Sequence, residues 1–304
     1  RISRIRHRNT NSTQMNKEVI LISIVSYREV ELENTVKEFY YRAKFRDRLR
    51  FSIVSQSDEH PDLSFIPEVQ LKYLKINDRE TYGISWARAI APTMFADYDF
   101  FFQTDGHMLV DQDWDSEFIE TYYKAEKQFG KRIVLSAMPA RYYFKDNERI
   151  KDLTIAHRYQ DISGKRPREW GEIKIAEKSL QQVYFAQGAL MFAKRELIDF
   201  VPPDADIHYF AEELNYSVRC FINGYKIIYF DKPVIYHLYA DDRKKAGVFR
   251  NPWSDEHNRL NMLDNTDRSQ EFFAGKLTGR FGATKKQLKE FCELTGLILP
   301  EIDA

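Results

Sequence analysis

Nothing constrains the chain more than the alternation that begins at residue 18, where EVILISIVSY sets Ile and Val side by side almost without interruption. The run is too short to cross a membrane and has no polar face, so it suits a central strand covered on both sides. The next stretch, EVELENTVKEFYYRAK, places acids early, bases late and apolar residues at Leu32, Val36, Phe39 and Tyr40. That pattern predicts an amphipathic helix matched to its own dipole over 29–44. LRFSIVSQ and VQLKYLKI read as strands, and GISWARAIAPTMF as a helix that Pro92 kinks or ends. DYDFFFQT is again a strand, DWDSEFIETYYKAEKQFG a helix closed by Gly130, and KRIVLSAM another strand. This order predicts an α/β fold with a mixed, mostly parallel sheet flanked by helices.

From about 139 to 180 the chain turns polar and mixed, with Gly164 and Pro167 inside, and reads as a flap over the scaffold. QQVYFAQGALMFAKRELIDFV resumes strand and helix, FAEELNYSVRCFINGY is a helix ending near Gly224, and KIIYF and PVIYHLY are strands. Near the end, Thr284 and Gln287 have capping-box spacing, with Gly296 past the helix they open.

Charge and cysteine usage narrow the partners. Lys+Arg and Asp+Glu stand at 46 each, so no net field draws the chain to nucleic acid or lipid, and no run is long enough to span a membrane. The local exception is RISRIRHR at the start, a solvated tail or a tether to an anionic surface. Two cysteines, Cys220 and Cys292, are too few for a disulfide framework or a thiolate zinc site. They favour a reducing, cytoplasmic setting. Oligomeric state leaves no mark.

Chemistry concentrates at strand ends. In open α/β sheets ligands bind beyond the carboxyl ends of the strands, where FFQTDGHMLV places Asp105, Gly106 and His107. Side chains two apart on an extended segment share a face, so Asp105 and His107 can reach one ion. An aspartate in a turn beside a surface histidine is the plainer alternative. A carboxylate with an imidazole suits Mn²⁺ or Mg²⁺ when phosphate oxygens and water complete the shell, whereas zinc usually recruits more protein nitrogen or sulfur. His237, closing the strand in PVIYHLY, is the candidate third ligand. Glu212 and Glu213 open a helix, either as partners of its dipole or as groups that meet a substrate hydroxyl. No G-x-G-x-x-G follows a strand, and neither a phosphate-loop G-K-S/T nor a G-x-S-x-G elbow occurs. Metal-assisted chemistry on a diphosphate is the most economical reading.

Several blocks in one order carry a resemblance: ISIVSYRE, RLRFSIVSQ, YGISWARAIA, FFQTDGHMLVDQDWD, LSAMPARY, AQGALMFAKRELI, FAEELNYSVRCFINGYKI and VIYHLY. Over about residues 18–300 the chain resembles the glycosyltransferase family 60 polypeptide N-acetylglucosaminyltransferases, cytoplasmic enzymes that modify hydroxyproline. The resemblance implies a GT-A-like nucleotide-diphospho-sugar transferase fold, with 1–17 a basic tail, 18–240 the catalytic domain and 241–304 an extension whose helix packs on it. It implies transfer of N-acetylglucosamine, or a related hexosamine, from a UDP-sugar to a hydroxyl on a protein or glycan, with retention. Asp105, His107 and His237 match the metal ligands of that family. Ser26, Tyr27 and Arg28 match the strand end that meets uridine, and Arg88 an arginine near the nucleotide. Gly188 and Glu212-Glu213 match segments facing donor sugar and acceptor. Gly106 stands where the family usually has Ser, a change that should leave the metal intact, and PARYY where it has Pro-Gly before an aromatic, which leaves the acceptor open. A nucleotide-sugar diphosphatase and a non-catalytic sugar- or nucleotide-binding module are the rival classes.

Overall fold

The computed structural model describes residues 17–167, 169–209, 211–248 and 266–299. Its centre is four parallel strands, β1 (Ile20–Tyr27), β2 (Leu49–Gln56), β3 (Leu71–Ile76) and β4 (Phe100–Asp105), in the order β3-β2-β1-β4. β1 is buried from Ile20 to Ser26, as an Ile/Val run with no polar face requires. Helix α1 (Leu32–Tyr41) covers one face through Val36 and Phe39, and α2 (Ile84–Ile90) covers the other, where Ala87 and Ala91 meet Val25 and Val54. Pro92 ends α2 as expected and leaves a 3₁₀ turn at Ala91–Met94.

Beyond β4 the chain forms β5 (Met108–Val110), α3 (Trp114–Phe129) and β6 (Ile133–Ser136). Gly130 at φ 100° ends α3, a conformation few other residues adopt. The flap region is more structured than its polar composition predicts: it holds β7 (Ala140–Lys145), β8 (Glu148–Lys151), β9 (Tyr159–Asp161) and β10 (Glu172–Lys174). Its base is clamped by His157, fully buried, whose ring nitrogens lie 2.9 and 3.0 Å from the carbonyls of Phe230 and Ile235.

β11 (Gln182–Val183), β12 (Leu190–Lys194) and β13 (Lys226–Tyr229) complete an eight-stranded sheet, order β11-β13-β6-β12-β4-β1-β2-β3, in which β12 runs antiparallel to both β4 and β6. β14 (Ile235–His237) joins β5, β7 and β8 in a second sheet, order β5-β14-β7-β8. The shared core is aromatic: Phe100 stacks on Phe192 at 5.0 Å, Phe118 on Phe230 at 4.3 Å, and Phe39 meets Trp114 edge-on at 4.9 Å. Among the described residues the remaining helices are α4 (Glu196–Phe200), α5 (Glu212–Ile222), α6 (Ala240–Lys245), α7 (Thr266–Phe273) and α8 (Lys285–Thr295). α8 carries the expected capping box at Thr284 and Gln287 and ends at Gly296 in the left-handed region. Its Leu288 and Phe291 pack with Leu214 and Val218 of α5 and Phe272 of α7. The basic tail, apart from Lys17, and part of the 241–304 extension lie outside the described residues.

Candidate metal and donor site

Parallel pairing sets the carboxyl ends of β1 and β4 side by side, with Val25 opposite Asp105. After Asp105 the chain turns at Gly106 and leaves the main sheet through β5, which pairs antiparallel with β14 so that His237 stands opposite Met108. Leu238 N–H donates to the His107 carbonyl at 3.1 Å, closing that pairing. Two strands of only three residues thus bring together histidines 130 positions apart.

The ligand atoms of Asp105, His107 and His237 lie within 4.8 Å of one another. Nε2 of His107 is 2.9 Å from Nε2 of His237, which is 3.4 Å from Asp105 Oδ2. Adjacent ligands on an octahedral ion with bonds of about 2.1 Å sit about 3.0 Å apart, so the spacing fits a small hard cation. Among the described residues, His237 Nδ1 has no hydrogen-bond partner, which leaves that nitrogen free to carry the proton while Nε2 faces an ion. Burial pulls His237 down to about 4, so it is a neutral donor near neutrality. Burial opposes the Asp105 charge, yet the neighbouring His237 and His107 rings and the Arg88 guanidinium outweigh it and hold Asp105 well below the usual carboxylate range. The donor set fits Mn²⁺ or Mg²⁺.

Behind the triad lies a buried charge network. Arg88, on α2, is 3% exposed, so it is no helix-surface residue; it pairs with Glu212 and lies 3.4 Å from Asp105 Oδ1. Burial disfavours its charge, but Glu212, Asp105 and Glu213 outweigh that and raise its pKa. Gly188 lies in the turn between β11 and β12, where Gln187 bridges to Leu190, and a Cβ there would overlap the Arg88 guanidinium. Its N–H donates to the Glu213 carboxylate and its carbonyl accepts from Gln103 Nε2 at 2.9 Å. Ser217 ties α5 to the same turn, accepting from Ala186 N–H at 2.9 Å and donating to the Glu213 carbonyl at 2.6 Å.

Burial and the neighbouring Glu212 push Glu213 up to about 7 against the pull of Arg88. Below its unfolded value of 4.5 both states hold the proton; between 4.5 and about 7 only the folded state keeps it. Wild type is therefore expected to lose stability relative to Glu213→Gln as pH rises through that window, read as the difference between the two urea midpoints.

The structure thus brings Arg88, Asp105, His107, Gly188, Glu212, Glu213 and His237 together. Ser26 lies directly against Gly106, whose absent Cβ would sit 3.3 Å from that of Ser26. Tyr27 and Arg28 stand at the neighbouring strand end: Arg28, at φ 47°, covers the Tyr27 ring at 4.9 Å and pairs with Asp78 just after β3. Sequence reasoning missed Glu29, Arg243 and Tyr239. Glu29 lies 2.7 Å from His107 Nδ1, Arg243 lies 3.3 Å from Glu29, and the Tyr239 ring meets His237 edge-on at 4.4 Å. Glu29 ends the block ISIVSYRE and Tyr239 ends VIYHLY, which is the signal that could have found them; Arg243 sits in a run of charges with none.

A family model described as "Glycosyltransferase (GlcNAc)" matches residues 61–290. No curated protein sequence matches the chain. Among solved structures, the crystal structure of GalNAc-T7 with UDP, GalNAc and Mn²⁺ aligns at a TM-score of 0.60 and 15% identity, covering 94% of this chain. It covers 55% of that chain, so this one spans about half its length. The likeness places the fold as GT-A-like.

Proposed function

The chain belongs to the GlcNAc glycosyltransferase family, and from that premise we propose that it moves N-acetylglucosamine, or a related hexosamine, from a UDP-sugar to a hydroxyl acceptor on a protein. The observation that carries this reading is the Asp105–His107–His237 cluster at the end of β4, with Arg88 beside it. GalNAc-T7, whose structure was solved with UDP and Mn²⁺, supports the donor class and the cation. Asp105, His107 and His237 hold Mn²⁺ or Mg²⁺, which when bound supplies Lewis-acid stabilisation of the departing diphosphate.

The chain supplies the rest. Arg88, kept charged by the carboxylates around it, adds a fixed positive field on the same side as the diphosphate. Ser26, Tyr27 and Arg28 line the adjoining strand ends as the uridine site. Gly188, whose missing Cβ makes room for the Arg88 guanidinium, faces the donor sugar, while Glu212 and Glu213 set the position of sugar and acceptor hydroxyls, in keeping with retention. Residues 18–240 form the catalytic domain, the flap at about 139–180 shapes the acceptor side, and 241–304 packs on through α7 and α8. The two cysteines, both free, agree with a cytoplasmic setting, and no helix among the described residues is long and apolar enough to cross a membrane.

Incubation with UDP-N-acetylglucosamine and UDP-N-acetylgalactosamine, with and without Mn²⁺, tests the reading by the nucleotide released. The proposal expects metal-dependent UDP that increases with a hydroxyproline peptide. UMP would establish diphosphate hydrolysis instead, and binding without any nucleotide product would establish a sugar- or nucleotide-binding module.

A further inference from the structure

We propose that Glu29 is a positioning residue for the metal site, fixing the His107 imidazole so that Nε2 presents its lone pair beside that of His237. The inference rests on the metal-binding reading of Asp105, His107 and His237. Glu29 Oε2 lies 2.7 Å from His107 Nδ1, a charge contact that favours the proton on this nitrogen and an unprotonated Nε2 in the neutral ring. The carboxylate is itself held. Arg243 Nη1, from α6, stands 3.3 Å from the same oxygen, and the Glu31 N–H donates to the other at 3.2 Å. A carboxylate with its side chain 5% exposed keeps its charge only with such partners.

Gly106 belongs to the same arrangement. A Cβ at that position would come within 3.1 Å of Glu29 Cγ, so the smallest residue between the two proposed ligands lets the carboxylate approach from behind. His237 differs in that its ion pair with Asp105 is made through Nε2, so that among the described residues no carboxylate stands against its Nδ1. The two imidazoles therefore differ in setting, with His107 backed by a carboxylate before metal arrives and His237 held between Asp105 and the edge of the Tyr239 ring. A carboxylate behind a ligating imidazole fixes the tautomer and raises ligand basicity, and losing one costs about 10- to 100-fold in metal affinity.

The test titrates Mn²⁺ into the full chain, with and without UDP, and reads free Mn²⁺ by its paramagnetic resonance signal. Wild type is expected to bind, Asp105→Ala to lose binding, Glu29→Gln to weaken it about 10-fold, and Glu29→Leu about 100-fold. Metal-free Glu29→Gln should still unfold in one cooperative transition, at a midpoint lowered by the loss of the Arg243 pairing, which separates positioning from loss of the fold. Wild-type affinity in both Glu29 variants, with binding lost in Asp105→Ala, would overturn the role of Glu29 and leave the metal site standing. No binding by wild type under either condition would overturn the metal reading itself.

Discussion

Asp105→Ala is expected to lower metal-dependent sugar transfer by about a thousandfold, with no recovery at higher Mn²⁺. Lewis-acid stabilisation of a leaving diphosphate is worth several kcal/mol, and about 4 kcal/mol corresponds to three decades in rate. Asp105 is the proposed triad's carboxylate, held ionised by His237, His107 and Arg88 although burial opposes its charge. His237→Ala should follow it, because the two ligands are set by different strands and neither can replace the other. Initial rates of UDP release across a Mn²⁺ series check both. A variant that keeps more than a tenth of wild-type rate removes its residue from the site.

Arg88→Met is expected to cost about 3–5 kcal/mol of stability, because it leaves buried carboxylates without their counter-charge. In a chain of this size that is a fall of roughly 5–8 °C in the unfolding midpoint. Asp105 and Glu212 both lie against Arg88, and Glu213 is part of the same field. Gly188→Ala should also destabilise, since the new methyl meets the guanidinium, and its cost should shrink when introduced together with Arg88→Met. Additive losses in this cycle would show that Gly188 is small for another reason.

Much of the scaffold was legible because its signals are local. The uninterrupted Ile/Val of β1, the three phenylalanines of β4 and the capping box of α8 each declare their element within about ten residues, and each is where the sequence places it. Asp105 and His107 were legible as candidate ligands because the buried strand before them ends there, and His237 because it closes the other strand. What stayed hidden depends on pairings between distant segments. β5 and β14 are three residues each, too short for periodicity, yet their pairing builds the triad. The flap strands alternate within polar text: β7, ARYYFK, buries Ala140 and Tyr142 while its neighbours are partly open. Arg88 resembles a solvated helix residue until three carboxylates from other elements surround it. Glu29 acquires a role only when β1 and β4 lie side by side.

The central claim is that a hexosamine moves intact from a UDP donor to a hydroxyl. Mass spectrometry of a hydroxyproline-containing protein or peptide pool, incubated with the chain, Mn²⁺ and isotopically labelled UDP-N-acetylglucosamine, tests it most directly. The account predicts an acceptor heavier by one labelled N-acetylhexosamine, formed with stoichiometric UDP and lost in Asp105→Ala. Donor consumed to free sugar or sugar phosphate, with every acceptor unmodified, would contradict it.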